Sequence, residues 1–191
     1  MDPRVELVRL LAERSVKFGE FTLSSGKRSD FYVDARLTTM SPEGLRAVGA
    51  AGLSALRESG WHVDSVGGLT MGADPVAYAI ALASALEGSH LLRAFSVRKD
   101  VKAHGTRRRI EGPFREGDRV VIVEDVITTG ASALAAAAAT EHEHATVVGV
   151  LAVLDREEGG REAIAASGYD VIALATAGEV IRAARKDHSP A

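Results

Sequence analysis

Two adjacent acids, Glu124 and Asp125, follow the apolar run Val120-Val121-Ile122-Val123 and precede Val126-Ile127-Thr128-Thr129-Gly130-Ala131-Ser132. Carboxylates accept hydrogen bonds from sugar hydroxyls. A hydroxyl- and glycine-bearing turn that enters a helix presents free N–H groups and the positive end of the helix dipole, which suit a phosphate. Side by side, the two make a ribose-phosphate site, although an ordinary strand-to-helix turn capped by Thr or Ser has the same letters. A second segment, running from Arg98-Lys99-Asp100-Val101-Lys102-Ala103-His104-Gly105 to Thr106-Arg107-Arg108-Arg109, gathers six basic residues and one acid, +5 locally. It is suited to an anion, whether as a solvated charged loop, a nucleic-acid contact or a closing catalytic loop. Its place after a strand, the hinge offered by Gly105 and the lack of interleaved aromatics for base stacking favour the catalytic loop.

Three further groups are chemically suggestive. Gly67-Gly68-Leu69-Thr70-Met71-Gly72-Ala73-Asp74-Pro75 is a glycine-rich turn suited to a backbone anion nest. Ala73-Asp74 stands where a Walker A motif needs Gly-Lys-Ser/Thr, which argues against an ordinary NTPase. Arg156, after an apolar strand, has the fork that grips a carboxylate through two parallel hydrogen bonds, or else pairs with Glu157 or Glu158. His142 and His144 flank Glu143 without a third ligand, and a solvated helix end accounts for them better than a metal site.

These residues need a frame. The chain has 191 residues, 23 Lys+Arg against 26 Asp+Glu for a net charge of −3, and is 46% hydrophobic. Those values fit one domain, 1–191, and the mild acidity argues against a general nucleic-acid binder. The absence of cysteine removes disulfides, thiolate nucleophiles and Cys-based metal sites and permits a cytoplasmic location. The N-terminal stretch is amphipathic rather than signal-like, and the apolar stretch from Ala131 to Ala139 is far short of the roughly 20 residues that span a bilayer, so no membrane role is expected.

Periodicity supplies the elements. Val5, Val8, Leu11 and Ala12 mark an amphipathic helix from Arg4 to Lys17. Phe21-Thr22-Leu23 and Phe31-Tyr32-Val33 read as two short strands joined by a tight connection. Ser41-Pro42 opens a helix that runs to about Ser59-Gly60. Strand and helix then alternate: Val63 to Gly68 and Ala73 to Leu86; Leu91 to Val97; Arg119 to Val123 and Ala131 to Thr140; Thr146 to Leu154 and Gly160 to Ser167; Tyr169 to Leu174 and Ala177 to Arg185. Runs apolar at every position belong to strands buried on both faces, so the expected fold is α/β, a doubly wound, mostly parallel sheet. Such sheets place their sites beyond the carboxyl ends of the strands.

The run from Val121 to Gly130 closely resembles the 5-phosphoribosyl-1-pyrophosphate (PRPP) motif of type I phosphoribosyltransferases. Arg98-Lys99-x-x-Lys102-x-His104-Gly105 resembles the catalytic loop of the orotate phosphoribosyltransferases, and the segment from Phe21 to Asp34 resembles that family's N-terminal hood. The resemblance implies transfer of the phosphoribosyl group of PRPP to orotate, giving orotidine 5′-monophosphate and pyrophosphate. It implies Mg²⁺ held mainly by substrate and water, and a homodimer in which loop 98–112 acts on the neighbouring subunit's site. Residues 1–40 then contribute the hood. Catalysis falls to Lys102, His104, Asp100 and Asp125. PRPP falls to Arg98, Lys99, Lys102, His104, Glu124, Asp125, Val126, Ile127, Thr128, Thr129, Gly130, Ala131, Ser132, Thr70 and Met71. Orotate falls to Phe31, Tyr32, Thr128 and Arg156. Some relatives carry Lys where this chain has Ser24 and Met71, leaving backbone N–H groups or Lys27 to compensate. A transferase for another base, or a PRPP-binding regulator with a basic face for nucleic acid, are the alternatives on the same fold.

Overall fold

The computed structural model describes residues 2–22, 28–88, 90–99 and 109–187. In chain order the elements are α1 (Pro3–Ser15), β1 (Val16–Thr22), β2 (Arg28–Val33), α2 (Arg36–Thr39), α3 (Pro42–Glu58), β3 (Ser65–Leu69), α4 (Ala73–Glu87), β4 (Arg93–Val97), β5 (Ile110–Glu111), β6 (Arg119–Ile127), α5 (Ala131–His142), β7 (Thr146–Asp155), α6 (Gly160–Ala166), β8 (Val171–Thr176) and α7 (Ala177–Asp187). β3, β4, β6, β7 and β8 are parallel in the order β5-β4-β3-β6-β7-β8, and β5 runs antiparallel to β4 at the edge.

The strand alternation divides the core in two. Val121, Val123, Leu151 and Val153 face a layer that includes Leu7 and Leu11 of α1, Val48 of α3, Ile80 of α4 and Val180 of α7. Their neighbours Val120, Ile122, Val150 and Ala152 face Ala133, Ala136 and Ala137 of α5 and Ile164 of α6. Each central strand is therefore covered on both sides, as its unbroken apolar sequence requires. Alanine, the best helix former and the smallest apolar side chain, lets α5 lie against the sheet along its 133, 136, 137 and 140 stripe. Ser41 caps α3, its Oγ accepting from the Gly44 N–H at 3.1 Å, with Pro42 at the first helical position. Trp61 covers Gly149, where a Cβ would run into its ring.

β1 and β2 form a separate antiparallel hairpin, with Phe18 opposite Phe31 and Lys17 opposite Tyr32. It begins at Val16, earlier than the pattern around Phe21 suggests, because Asp34 N–H donates to Ser15 O at 2.9 Å and fastens the hairpin to the end of α1. Three features depart from the sequence expectation. β6 runs to Ile127 and so carries both acids within it, because β7 is long enough to pair Val126 with Leu154 and Ile127 with Asp155. Ile110–Glu111 forms an edge strand inside the 98–112 segment, and α2 is a single turn that periodicity could not register.

Candidate active site

β4 lies on one side of β3 and β6 on the other, so the connections leaving β3 and β6 diverge at their carboxyl ends and open a crevice. Arg36, Leu69, Thr70, Met71, Gly72, Lys99, Glu124, Asp125 and Ser132 line a cavity of about 510 Å³ there. An adjoining cavity of about 580 Å³ shares Thr70 and Lys99 and adds Asp74, Tyr78, Ser96, Arg98 and Glu111. Residues from the hood, the β3–α4 turn, the end of β4 and the β6–α5 turn thus meet at one opening, although they lie far apart in sequence.

The acids are the chemical centre. Glu124 is 5% exposed, and its Oε1 is buried with no hydrogen-bond partner among the described residues. Burial, with the Asp125 charge adding to it, pushes its carboxyl up to about 8, so the acid is largely protonated near neutrality in the ligand-free chain. Asp125 is also raised, chiefly by burial; amide hydrogen bonds and the Arg36 charge oppose the rise. Its Oδ1 accepts from the Val126 N–H at 3.0 Å. Gly72 makes room for it: a Cβ at that position would collide with the Asp125 carboxylate.

The turn after β6 enters its helix on a glycine. Gly130 is the N-cap residue of α5, at φ +79°, and has no side chain of its own to cap the helix. Thr129 Oγ1 approaches the Ala131 N–H at a long 3.5 Å. Glycine adopts this left-handed backbone at little cost, and the first-turn amides remain turned toward the crevice end of the helix for an anion. Thr128, at the end of β6, and Arg156, at the end of β7, are neighbours, since Arg156 N–H donates to Ile127 O at 3.0 Å. The Arg156 side chain is 17% exposed and pairs with Glu158 at 2.7 Å, one of the two partners the sequence offers.

At the β3–α4 turn, Thr70 N–H donates to Val97 O at 2.8 Å and Thr70 Oγ1 donates to Asp74 Oδ2 at 2.6 Å. Met71 is 64% exposed and lines the 510 Å³ cavity. Arg98 and Arg109 close the base of the basic loop: Arg98 N–H donates to Arg109 O at 2.9 Å, and Arg109 Nε donates to Arg98 O at 3.1 Å. Asp100, Lys102 and His104, to which the sequence assigns catalysis, lie outside the described residues, as do Ser24 and Lys27. Phe31 is half-buried against the core, and Tyr32 stands on the exposed side of the hairpin with its ring 5.7 Å from that of Phe21. Arg36, four residues beyond Tyr32, lines the cavity that holds the acids.

Sequence reasoning missed Arg36 and its partner Asp34. Arg36 Nε and Nη2 donate to the two Asp34 oxygens at 2.9 and 3.0 Å. No spacing rule marks an arginine at the start of a one-turn helix, and only the return of the hood to the sheet brings it to the acids. His142 is 85% exposed in the last turn of α5.

A model of the phosphoribosyl transferase domain matches residues 40–175. An orotate phosphoribosyltransferase of Aquifex aeolicus is 45% identical over 181 residues, covering 93% of this chain and 97% of that one. One from Pyrococcus furiosus is 42% identical over 180 residues, covering 94% and 96%. The crystal structure of the Mycobacterium tuberculosis orotate phosphoribosyltransferase in complex with PRPP has 37% identity and a TM-score of 0.79, covering 93% of this chain and 98% of that one. With a family model matching residues 40–175 and relatives above 40% identity over more than nine-tenths of its length, the chain belongs to the phosphoribosyl transferase family, among its orotate phosphoribosyltransferases.

Proposed function

We propose that the chain transfers the 5-phosphoribosyl group of PRPP to orotate, releasing pyrophosphate, and that the crevice between β3 and β6 is where it does so. The observation that carries this is the buried, unpartnered Glu124 with half-buried Asp125 beside it, next to the glycine-capped N-terminus of α5. A new bond forms between an orotate ring nitrogen and C1′ as the bond from C1′ to the diphosphate oxygen breaks. As in other glycosyl transfers, the sugar gains oxocarbenium character while the leaving group gains negative charge. Glu124 and Asp125 hold the ribose hydroxyls and face that developing positive charge. Thr128 to Ser132 take the 5′-phosphate through backbone amides and hydroxyls. The Thr70–Gly72 turn, Arg98 and Lys99 take the diphosphate, joined by Lys102 and His104 when loop 98–112 closes and excludes water. Asp100 handles a proton or positions that loop.

Orotate enters beside Phe31 and Tyr32, and its carboxylate displaces Glu158 from the Arg156 fork, with Thr128 as the neighbouring hydroxyl. The donor set fits Mg²⁺: Glu124 Oε1 is a buried, unpartnered hard oxygen, and Asp125 stands beside it. Bound mainly through diphosphate and ribose oxygens and water next to these two acids, Mg²⁺ would neutralise charge on the leaving group.

A homodimer belongs to the same proposal. Leu82 and Leu86 are 61% and 80% exposed on α4 and, with Leu45 and Ala50 of α3, border an apolar groove of about 440 Å³. An apolar face of this kind suits a protein partner. Tyr78 lines this groove and also the 580 Å³ cavity, where its hydroxyl is 2.9 Å from Ser96 Oγ. A second copy seated on the groove would bring its basic loop to this chain's site. A cytoplasmic location completes the reading, and among the described residues no helix is long and apolar enough to cross a membrane.

Loss of orotate absorbance in the presence of PRPP and Mg²⁺ tests the assignment. Lys102→Ala abolishes turnover, and Arg156→Ala raises the orotate KM roughly tenfold to a hundredfold, the value of a charged hydrogen-bonded pair. When the two variants are mixed and exchanged, hybrid dimers with one intact site regain turnover at low orotate concentration that neither shows alone there. Wild-type protein that binds PRPP but leaves orotate unchanged would shift the assignment to another base or to a regulator.

A further inference from the structure

Two cations line the cavity that holds the acids, Lys99 at the mouth of the basic loop and Arg36 on the hood side. Arg36 is the more rigidly held. Its Nε and Nη2 form a two-bond fork with Asp34, and its own backbone N–H donates to Asp34 Oδ1 at 3.1 Å. The fork uses two of the five guanidinium N–H groups, leaving both N–H groups of Nη1 and one of Nη2 to donate. No acceptor for Nη1 is found among the described residues. In the Leu69–Gly72 turn, which lines the same cavity, the Thr70 N–H is already bonded to Val97 O, Leu69 packs on the core, and the exposed side chain, Met71, is apolar. A diphosphate placed there brings several negative charges near Glu124 and Asp125, and needs a cation on the side away from Lys99.

We infer that Arg36, oriented by Asp34, is a fixed cation that binds the diphosphate of PRPP from the hood side of the crevice. This rests on the PRPP reading above and adds a residue to it. The Asp34 fork fixes the guanidinium plane before the ligand arrives, so little side-chain freedom is lost on binding. Asp34 is the positioning residue and Arg36 the binding one. Arg36 and Asp125 line the same cavity, so the cation also faces the acidic charge of the free site.

Calorimetric titration of PRPP and, separately, of pyrophosphate with Mg²⁺ into wild type, Arg36→Ala, Asp34→Asn and the double variant Arg36→Ala/Met71→Lys tests this without relying on orotate chemistry. Loss of Arg36 weakens both ligands roughly tenfold to a hundredfold. Orotate KM, read in the turnover assay, stays within about twofold. Asp34→Asn gives a smaller loss in the same direction. Met71→Lys restores most of the lost affinity by supplying a cation from the Leu69–Gly72 turn, which a misfolded variant could not show. Pyrophosphate affinity within about twofold of wild type in Arg36→Ala overturns the inference. So does a loss that falls equally on orotate and is untouched by Met71→Lys, since that marks a structural arginine. Wild type that binds PRPP and pyrophosphate but does not consume orotate would sink the transferase reading while the titrations still decide Arg36.

Discussion

Asp118 immediately precedes β6 and Glu124 lies in its C-terminal half, and each is 5% exposed. Asp118 is well partnered: Arg93 Nη2 donates to its Oδ1 at 2.6 Å, and Ser65 Oγ and the Arg115 N–H donate to its Oδ2 at 3.2 and 3.1 Å. Glu124 has an oxygen with no partner among the described residues and a carboxyl pushed up to about 8. Burial is equal and satisfaction is opposite. The first acid ties together the starts of β3, β4 and β6, and its hydrogen bonds offset the cost of taking a carboxylate out of water. The second bears that cost until a ligand with hydroxyls or cations arrives. An acid that is buried and partnered holds a fold together; an acid that is buried and unpartnered at a switch point marks a site.

If that contrast is right, damage to the two ends separates activity from stability. The largest effect is expected at the crevice. Asp125→Asn removes the negative charge that faces the sugar and lowers kcat/KM for PRPP roughly a hundredfold to a thousandfold, the range for losing one preorganised electrostatic group. Its melting temperature stays equal to wild type or rises, because a buried charge has been removed. At the other end, Asp118→Ala leaves half-buried Arg93 without its counter-ion and costs about 3 kcal/mol, the lower range for breaking a buried pair. Denaturant titration reads that loss, while turnover per folded molecule in the cold is retained. A variant at Asp118 that keeps its stability but loses turnover would erase the distinction between the two ends.

The strands that position the acids were legible because Val120 to Val123 are apolar at every position, a pattern that only a doubly covered strand requires. The strand-to-helix turn after β6 was legible because Thr128 to Ser132 join hydroxyls and glycine to a strong helix former. What sequence could not supply was decided by partners distant in the chain. β6 continues through Glu124 and Asp125 because β7 offers Leu154 and Asp155 to pair with, and no local property of those acids announces it. Arg36 carries no motif, and its place in the site follows from the hood folding back on Ser15 and α1. Ile110–Glu111 is a strand only because the end of β4 would otherwise lack a neighbour on that edge. The roles of Asp100, Lys102 and His104 rest on their place in the family's loop rather than on observed geometry.

A smaller effect separates the two buried acids by pH. In the folded, ligand-free chain Glu124 keeps its proton up to about 8, whereas an unfolded chain releases it near the ordinary glutamate value of 4.5. Between those limits the folded state binds more protons than the unfolded one, so raising the pH favours unfolding, and the loss is complete once pH exceeds the folded value. Glu124→Gln keeps the shape and cannot ionise. Thermal unfolding of the variant and of wild type, both without ligands, should therefore coincide near the lower limit and diverge as pH approaches 8, with the variant the more stable. Taking the difference between the two proteins cancels the titration of histidines and of surface carboxylates common to both. Saturating PRPP and Mg²⁺ should close the gap or reverse it, because the ionised Glu124 then has partners that glutamine matches poorly. Melting curves for the two proteins that stay parallel across this range would mean that Glu124 is already satisfied in the free chain, and the contrast with Asp118 would lose its basis.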